Sequence, residues 1–151
     1  MSIREILASK NSGTIYSIAP DSSILAAVTL MGQHDIGSLV VKEGERMVGL
    51  LTDRDIVRGL RKANCNLVNT LVREVMVLSP VVGHPDDTPD QVRRMMTDSH
   101  ISHLPVMDDT GLIGIISFYD VARTALSNVE FENKLLKRYI KDWPTDDSDQ
   151  G

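Results

Sequence analysis

A shift of 65 residues lays one half of this chain over the other without a gap. Pro20-Asp21 falls on Pro85-Asp86, Ser23 on Thr88 and Met31 on Met96. Ile36, Leu39 and Val41 fall on Ile101, Leu104 and Val106, and Gly49, Asp55 and Arg58 on Gly114, Asp120 and Arg123. Between these anchors the substitutions mostly keep class, as in Leu50-Leu51-Thr52 against Ile115-Ile116-Ser117. A repeat of this length dictates architecture before any single motif does: the chain is a duplicated unit.

Each copy reads in the same order. A short apolar stretch, Thr14 to Ile18 or Pro80 to Val82, ends before a Pro-Asp turn. A helix follows. In the first copy Ile24, Ala27, Val28 and Met31 form an amphipathic stripe. In the second, Thr88 is placed as N-cap with Pro89 at the first helical position, and Val92, Met95 and Met96 supply the apolar face. Two apolar strands come next, joined by polar turns at Lys42–Arg46 and Asp108–Gly111. A second helix starts near Asp53 or Phe118.

The order β-α-β-β-α, twice, predicts an α/β (α+β) fold. A unit of roughly 50 residues buries too little alone, so the two should pack with pseudo-twofold symmetry. The repeats are expected over 10–62 and 75–127, with a C-terminal helix over 128–143 and an acidic, disordered tail over 144–151. Ser2 and Glu5 have capping-box spacing, predicting a short N-terminal helix.

Composition narrows the function classes. The net charge is −5, but Asp142, Asp146, Asp147 and Asp149 follow the last basic residue, and without them 17 acidic residues face 16 basic ones. Such a near-neutral body lacks the basic face of a nucleic-acid protein. No apolar run reaches the ~20 residues needed to span a bilayer, and the first residues do not read as a secretory signal. The one cysteine, Cys65, cannot form an internal disulfide, which fits a reducing compartment. A cytoplasmic protein, with no nucleic-acid or membrane partner, is expected.

The most informative stretch is the strand–helix junction, GLLTDRDIVR at Gly49–Arg58 and GIISFYDVAR at Gly114–Arg123. Thr52 with Asp55, and Ser117 with Asp120, stand three apart. One reading is a capping box, whose N-cap residue alone stabilises by ~1 kcal/mol. The other is a ligand site. The free N–H groups and dipole of a helix N-terminus attract an anion. A neighbouring carboxylate accepts hydrogen bonds from two adjacent hydroxyls, such as those of a ribose. Phosphate and ribose together describe a nucleotide.

The two units resemble a tandem pair of CBS domains, the cystathionine-β-synthase-type repeat of regulatory proteins. The resemblance is carried by Gly49–Asp55, Gly114–Asp120, the two Pro-Asp turns and HLPV at His103–Val106, and covers roughly residues 10 to 126. It implies a non-catalytic regulatory module. It further implies an adenine-nucleotide ligand in clefts between the repeats: AMP, ADP, ATP or NAD, with S-adenosylmethionine ranked behind them and no metal required. Carried over, Thr52 and Asp55 belong to one cleft and Ser117 and Asp120 to the other. The adenine lies against the first strand of the unit and the start of the second. Those positions here are Thr14, Ile15, Tyr16, Gly37 and Ser38 in one unit, and Ser79, Pro80, Val81, Ser102 and His103 in the other.

The clefts should differ. Arg54 can pair with a phosphate, whereas Tyr119 stands in its place in the second motif. Where many family members carry a basic residue before HLPV, this chain has Ser102, leaving His103 as a weaker phosphate partner. The first cleft should therefore favour a charged phosphate more strongly. The second is expected to bind AMP, to take the adenosine half of a dinucleotide, or to stay empty.

Other chemistries find little support. His34, His84, His100 and His103 are scattered, without a cysteine–histidine framework for a metal. Cys65 has no neighbouring histidine to activate it, and neither motif has an acid or nucleophile partner. In the C-terminal segment Val129, Leu136, Ile140 and Trp143 recur near helical spacing. That stripe either packs on its own domain or forms a homodimer contact, since paired CBS repeats resemble half of a disc-like assembly and twofold dimers are the default. Two functions remain open: a nucleotide sensor acting on a regulated partner protein, or a structural interaction module without a ligand.

Overall fold

A computed structural model describes residues 2–10 and 14–126; the helix and tail expected beyond residue 127 lie outside the described residues. The chain opens with helix α1 (Ile3–Ser9), followed by strand β1 (Ser17–Ile18), helix α2 (Ile24–His34), strands β2 (Ser38–Glu43) and β3 (Arg46–Thr52), and helix α3 (Asp53–Lys62). A single 3-10 turn (Val72–Glu74) leads into helix α4 (Pro89–Asp98), strands β4 (His103–Asp108) and β5 (Gly111–Ser117), and helix α5 (Phe118–Leu126).

The duplication extends to irregularities. The hairpins β2–β3 and β4–β5 are antiparallel, and each carries a register shift at one equivalent place, after Val41 and after Val106. Helices α2 and α4 both end beside a residue in the left-handed region, Asp35 and His100, again 65 apart. Thr88 caps its helix as predicted, and Ser23 caps α2 in the same way, each accepting from a backbone N–H three residues on.

The units differ in their first strand. β1 pairs in parallel with β2, where the Val40 N–H donates to the Tyr16 carbonyl. The expected second copy at Pro80–Val82 is not a strand; a lone parallel bridge joins Gly83 to Val106. Pro105 stands where the first unit has Val40, and proline has no N–H to donate. Val81 and Val82 are consequently left largely exposed. Val28, placed on the buried stripe of α2 by periodicity, is 39% exposed, and the buried face consists of Ile24, Ala27 and Met31.

The cores are completed by exchange. Ile24, Ala27, Leu39, Val41, Leu51 and Ile56 of the first unit enclose Val72 from the segment preceding the second unit. Val92, Met96, Leu104, Val106, Ile116 and Val121 of the second unit enclose Ile3 and Ile6 of α1. The backbone repeats the arrangement. The N–H groups of Ile3 and Arg4 donate to the carbonyls of Asp87 and Pro85, and those of Val72 and Arg73 donate to Ser22 and Pro20. Arg4 pairs with Asp86 and Arg73 with Asp21. Ile3-Arg4-Glu5-Ile6-Leu7 is thus the structural counterpart of Val72-Arg73-Glu74-Val75-Met76. Leu7 closes on Gly114 as Met76 closes on Gly49, and at both glycines a Cβ would approach these side chains to under 3 Å.

Candidate functional site

Both hydroxyl–aspartate pairs form the reciprocal cap. The Asp55 N–H donates to Thr52 Oγ1 (3.3 Å), while Thr52 returns its N–H and hydroxyl to Asp55 Oδ2 (3.0 and 2.8 Å). Similarly, the Asp120 N–H donates to Ser117 Oγ (3.1 Å) and the Ser117 N–H to Asp120 Oδ2 (2.9 Å). Both carboxylates are buried, at 6% and 4% exposure, so the helix starts are satisfied without a ligand.

Two related clefts lie between the units, and each draws its parts from both. The larger, about 280 Å³, is lined by Thr14, Ile15, Tyr16, Gly37 and Ser38 of the first unit with Ser117 of the second. The smaller, about 80 Å³, brings Thr52, Arg54 and Asp55 of the first unit against Pro80, Val81, Ser102 and His103 of the second. Each junction therefore faces the strand positions of the opposite repeat. Ser79 is exposed and lies outside the lining of both clefts. Asp120 stands behind Ser117 and reaches the larger cleft through Lys10.

Lys10 is the site residue that motif comparison missed. Its Nζ donates to the Ile115 carbonyl at 2.7 Å and lies 2.9 Å from Asp120 Oδ2. Burial acts to raise the Asp120 pKa, but the Ser117 N–H and the Lys10 ammonium outweigh it and hold the carboxyl below its ordinary value. Asp55 instead pairs with Arg58 at 2.6 Å, a partner on its own helix. Arg54 extends across the units to the His100 carbonyl (3.2 Å) at the mouth of the smaller cleft. Tyr119, its counterpart in the repeat, is exposed with the Arg123 guanidinium over its ring.

Two aromatic side chains shape the rest. Tyr16 stacks on His34 with ring centroids 4.1 Å apart, giving the larger cleft a flat wall. His103 lines both clefts, and its ring lies so near Gly37 that a Cβ there would meet it at 3.1 Å. Burial lowers the His103 pKa; Asp53 opposes that and Lys10 adds to it. Burial thus favours the neutral imidazole over the charged one.

A pH dependence follows. With a folded pKa below the ordinary 6.5, the unfolded chain binds the extra proton. The stability contribution is then full above pH 6.5 and is lost as pH falls toward the folded value. Melting curves between pH 7 and 5.5 should show a decline that His103→Gln reduces; an unchanged slope in the variant would assign the decline elsewhere.

A family model described as CBS domain matches residues 3–62 and 72–127. The CBS domain-containing protein YhcV of Bacillus subtilis (strain 168) is 35% identical over 115 residues, which is 76% of this chain and 81% of YhcV. Other curated relatives are longer: the chain spans 61% of one and 21% of another. The CBS domain pair of protein MJ0100, in complex with 5′-methylthioadenosine and S-adenosyl-L-methionine, superimposes with a TM-score of 0.71 at 26% identity, covering 82% of this chain and 98% of its own. CBSX2 in complex with AMP superimposes with a TM-score of 0.62 at 26% identity, over 75% of this chain and 88% of its own. Among the described residues no helix is long and apolar enough to cross a membrane.

Proposed function

The chain belongs to the CBS domain family, and on that premise we propose that it is a regulatory module that binds an adenosine-type nucleotide, AMP or a relative of it, in the larger inter-repeat cleft. The observation that carries this reading is the convergence of unlike groups on one cavity: the Tyr16 wall, the backbone at Gly37 and Ser38, the Ser117 cap at a helix N-terminus, and Asp120 behind it. An apolar wall suits a base, a buried carboxylate suits vicinal hydroxyls, and the positive end of a helix dipole suits phosphate. At about 280 Å³ the cleft is near the lower end of small-molecule sites, whereas 80 Å³ is well short of it. The ligands in the complexes of MJ0100 and CBSX2, all adenosine derivatives, support the ligand class. They put S-adenosylmethionine on the same footing as AMP among the compounds to be tried.

The function would be exercised through other proteins. A ligand that spans both units shifts their relative placement only as far as its affinity differs between the two arrangements. The exposed apolar side chains Leu25, Val28, Val57, Phe118 and Tyr119 offer surface for a second copy or a regulated partner. Ser102 Oγ lies 3.0 Å from His103 Nδ1 in the smaller cleft, but this contact joins adjacent residues and Ser102 does not line the larger cleft; the family match supports regulation over catalysis.

Thermal denaturation with AMP, ATP, NAD and S-adenosylmethionine is the direct test. At a ligand concentration of 100 Kd the fold gains ~2.7 kcal/mol, raising Tm by several degrees. If none of the four raises Tm at millimolar concentration, the cap is structural only, and the interaction-module reading replaces this one.

A further inference from the structure

We propose that Lys10 makes the larger cleft selective for anionic ligands: its ammonium occupies Asp120 until a phosphate-bearing adenosine compound draws it away, so adenosine 5′-phosphates bind in preference to adenosine. The inference rests on the nucleotide reading above and deepens it.

Three observations lead here. First, the acceptors a ribose would use are already engaged. Asp120 Oδ2 accepts the Ser117 N–H and faces Lys10 Nζ at 2.9 Å, while Oδ1 faces Arg123 at 3.5 Å. Two ribose hydroxyls reach this carboxylate only if the ammonium moves. Second, the side chain of Lys10 is 28% exposed, so a displaced ammonium stays in a partly desolvated place and needs a new acceptor or counter-charge. Neutral adenosine carries no charge to meet it; a 5′-phosphate does. Third, Lys10 is the one Lys or Arg among the described residues that line this cleft. Asp35 lines the same cleft, and burial disfavours the charged form of His103. Without Lys10, the ionised side chain left in the described lining would be the Asp35 carboxylate, which repels a phosphate.

The arrangement is confined to one cleft. In the exchange of leading segments, four residues beyond Val75 is Ser79, just as four beyond Ile6 is Lys10, and Ser79 lies outside the smaller cleft. Anchoring the end of α1 is an insufficient account of Lys10, because Leu7 packing on Gly114 already ties α1 to β5.

Calorimetric titration of the full chain with AMP and with adenosine tests the proposal, using wild type, Lys10→Met and Lys10→Arg. Lys10→Met keeps the aliphatic stem and removes the charge. It should weaken AMP about tenfold while leaving adenosine unchanged or tighter; Lys10→Arg should retain most of the preference. Equal changes for the two ligands, with both still bound by wild type, would overturn the role of Lys10 and leave the nucleotide reading standing. If wild type binds neither, that reading fails and takes this inference with it. A ligand-free measurement stands beside these: by NMR, the Asp120 carboxyl should titrate higher in Lys10→Met than in wild type, and an unchanged titration would sink the ion pair on which the exchange depends.

Discussion

Replacing Ile6 by alanine should lower stability by about 2–4 kcal/mol and the melting temperature by roughly 5–15 °C. Ile6 lies on α1, ahead of the region matched by the 65-residue repeat, where residues are ordinarily tolerant of change. Here it is 2% exposed and packed with Val92, Met96, Leu104 and Ile116 of the distant unit. Truncation removes the transfer free energy of three carbons and leaves a cavity between α1 and the core of the second unit. The backbone of α1 is bonded to Pro85 and Asp87, which limits collapse of the site further. Thermal or urea denaturation measures the loss. A cost below about 1 kcal/mol would mean that α1 does not belong to the core of the second unit.

That exchange is written in the sequence, but in a second register. Ile-Arg-Glu-Ile-Leu at residues 3–7 and Val-Arg-Glu-Val-Met at 72–76 match at an offset of 69, against 65 for the rest, because the two connectors differ in length. A gap-free comparison therefore passes over the pair. The family match, starting at residues 3 and 72, has the same 69-residue spacing. Strands, helices, caps and hairpin turns were legible because periodicity and local hydrogen bonding determine them. The bare bridge at Gly83 was legible too, had the missing N–H of Pro105 been weighed against Val40.

The makeup of the clefts was harder to see. Thr52 and Asp55, or Ser117 and Asp120, meet through a local cap, which spacing reveals. Which strand each cap faces depends on how two hairpins pack, and no local signal carries that. Lys10 is the extreme case. The atoms it contacts belong to Ile115 and Asp120, more than a hundred residues away, and only the swapped path of α1 brings them together. Ranking the clefts by Arg54 against Tyr119, and by Ser102 and His103, consequently left out Lys10.

Asp120→Ala should weaken AMP binding by about 10- to 100-fold, while Asp55→Ala leaves the same binding step within about threefold. A hydrogen bond to a charged group contributes roughly 1.5–3 kcal/mol, and a ribose directs two hydroxyls at this carboxylate. The exchange with Lys10 offsets part of that sum, which sets the range nearer one bond than two. Asp55 performs the same capping task at an equivalent helix start, so it serves as the internal control for lost capping. Each variant should cost about 1 kcal/mol of stability through its cap. Asp120 stands behind Ser117 and Lys10 of the larger cleft, whereas Asp55 lines the smaller one. Calorimetry on both variants reads the difference. Equal, small losses would reduce both aspartates to caps, while a larger loss in Asp55→Ala would move the ligand to the smaller cleft, with Arg54 rather than Lys10 as its phosphate partner.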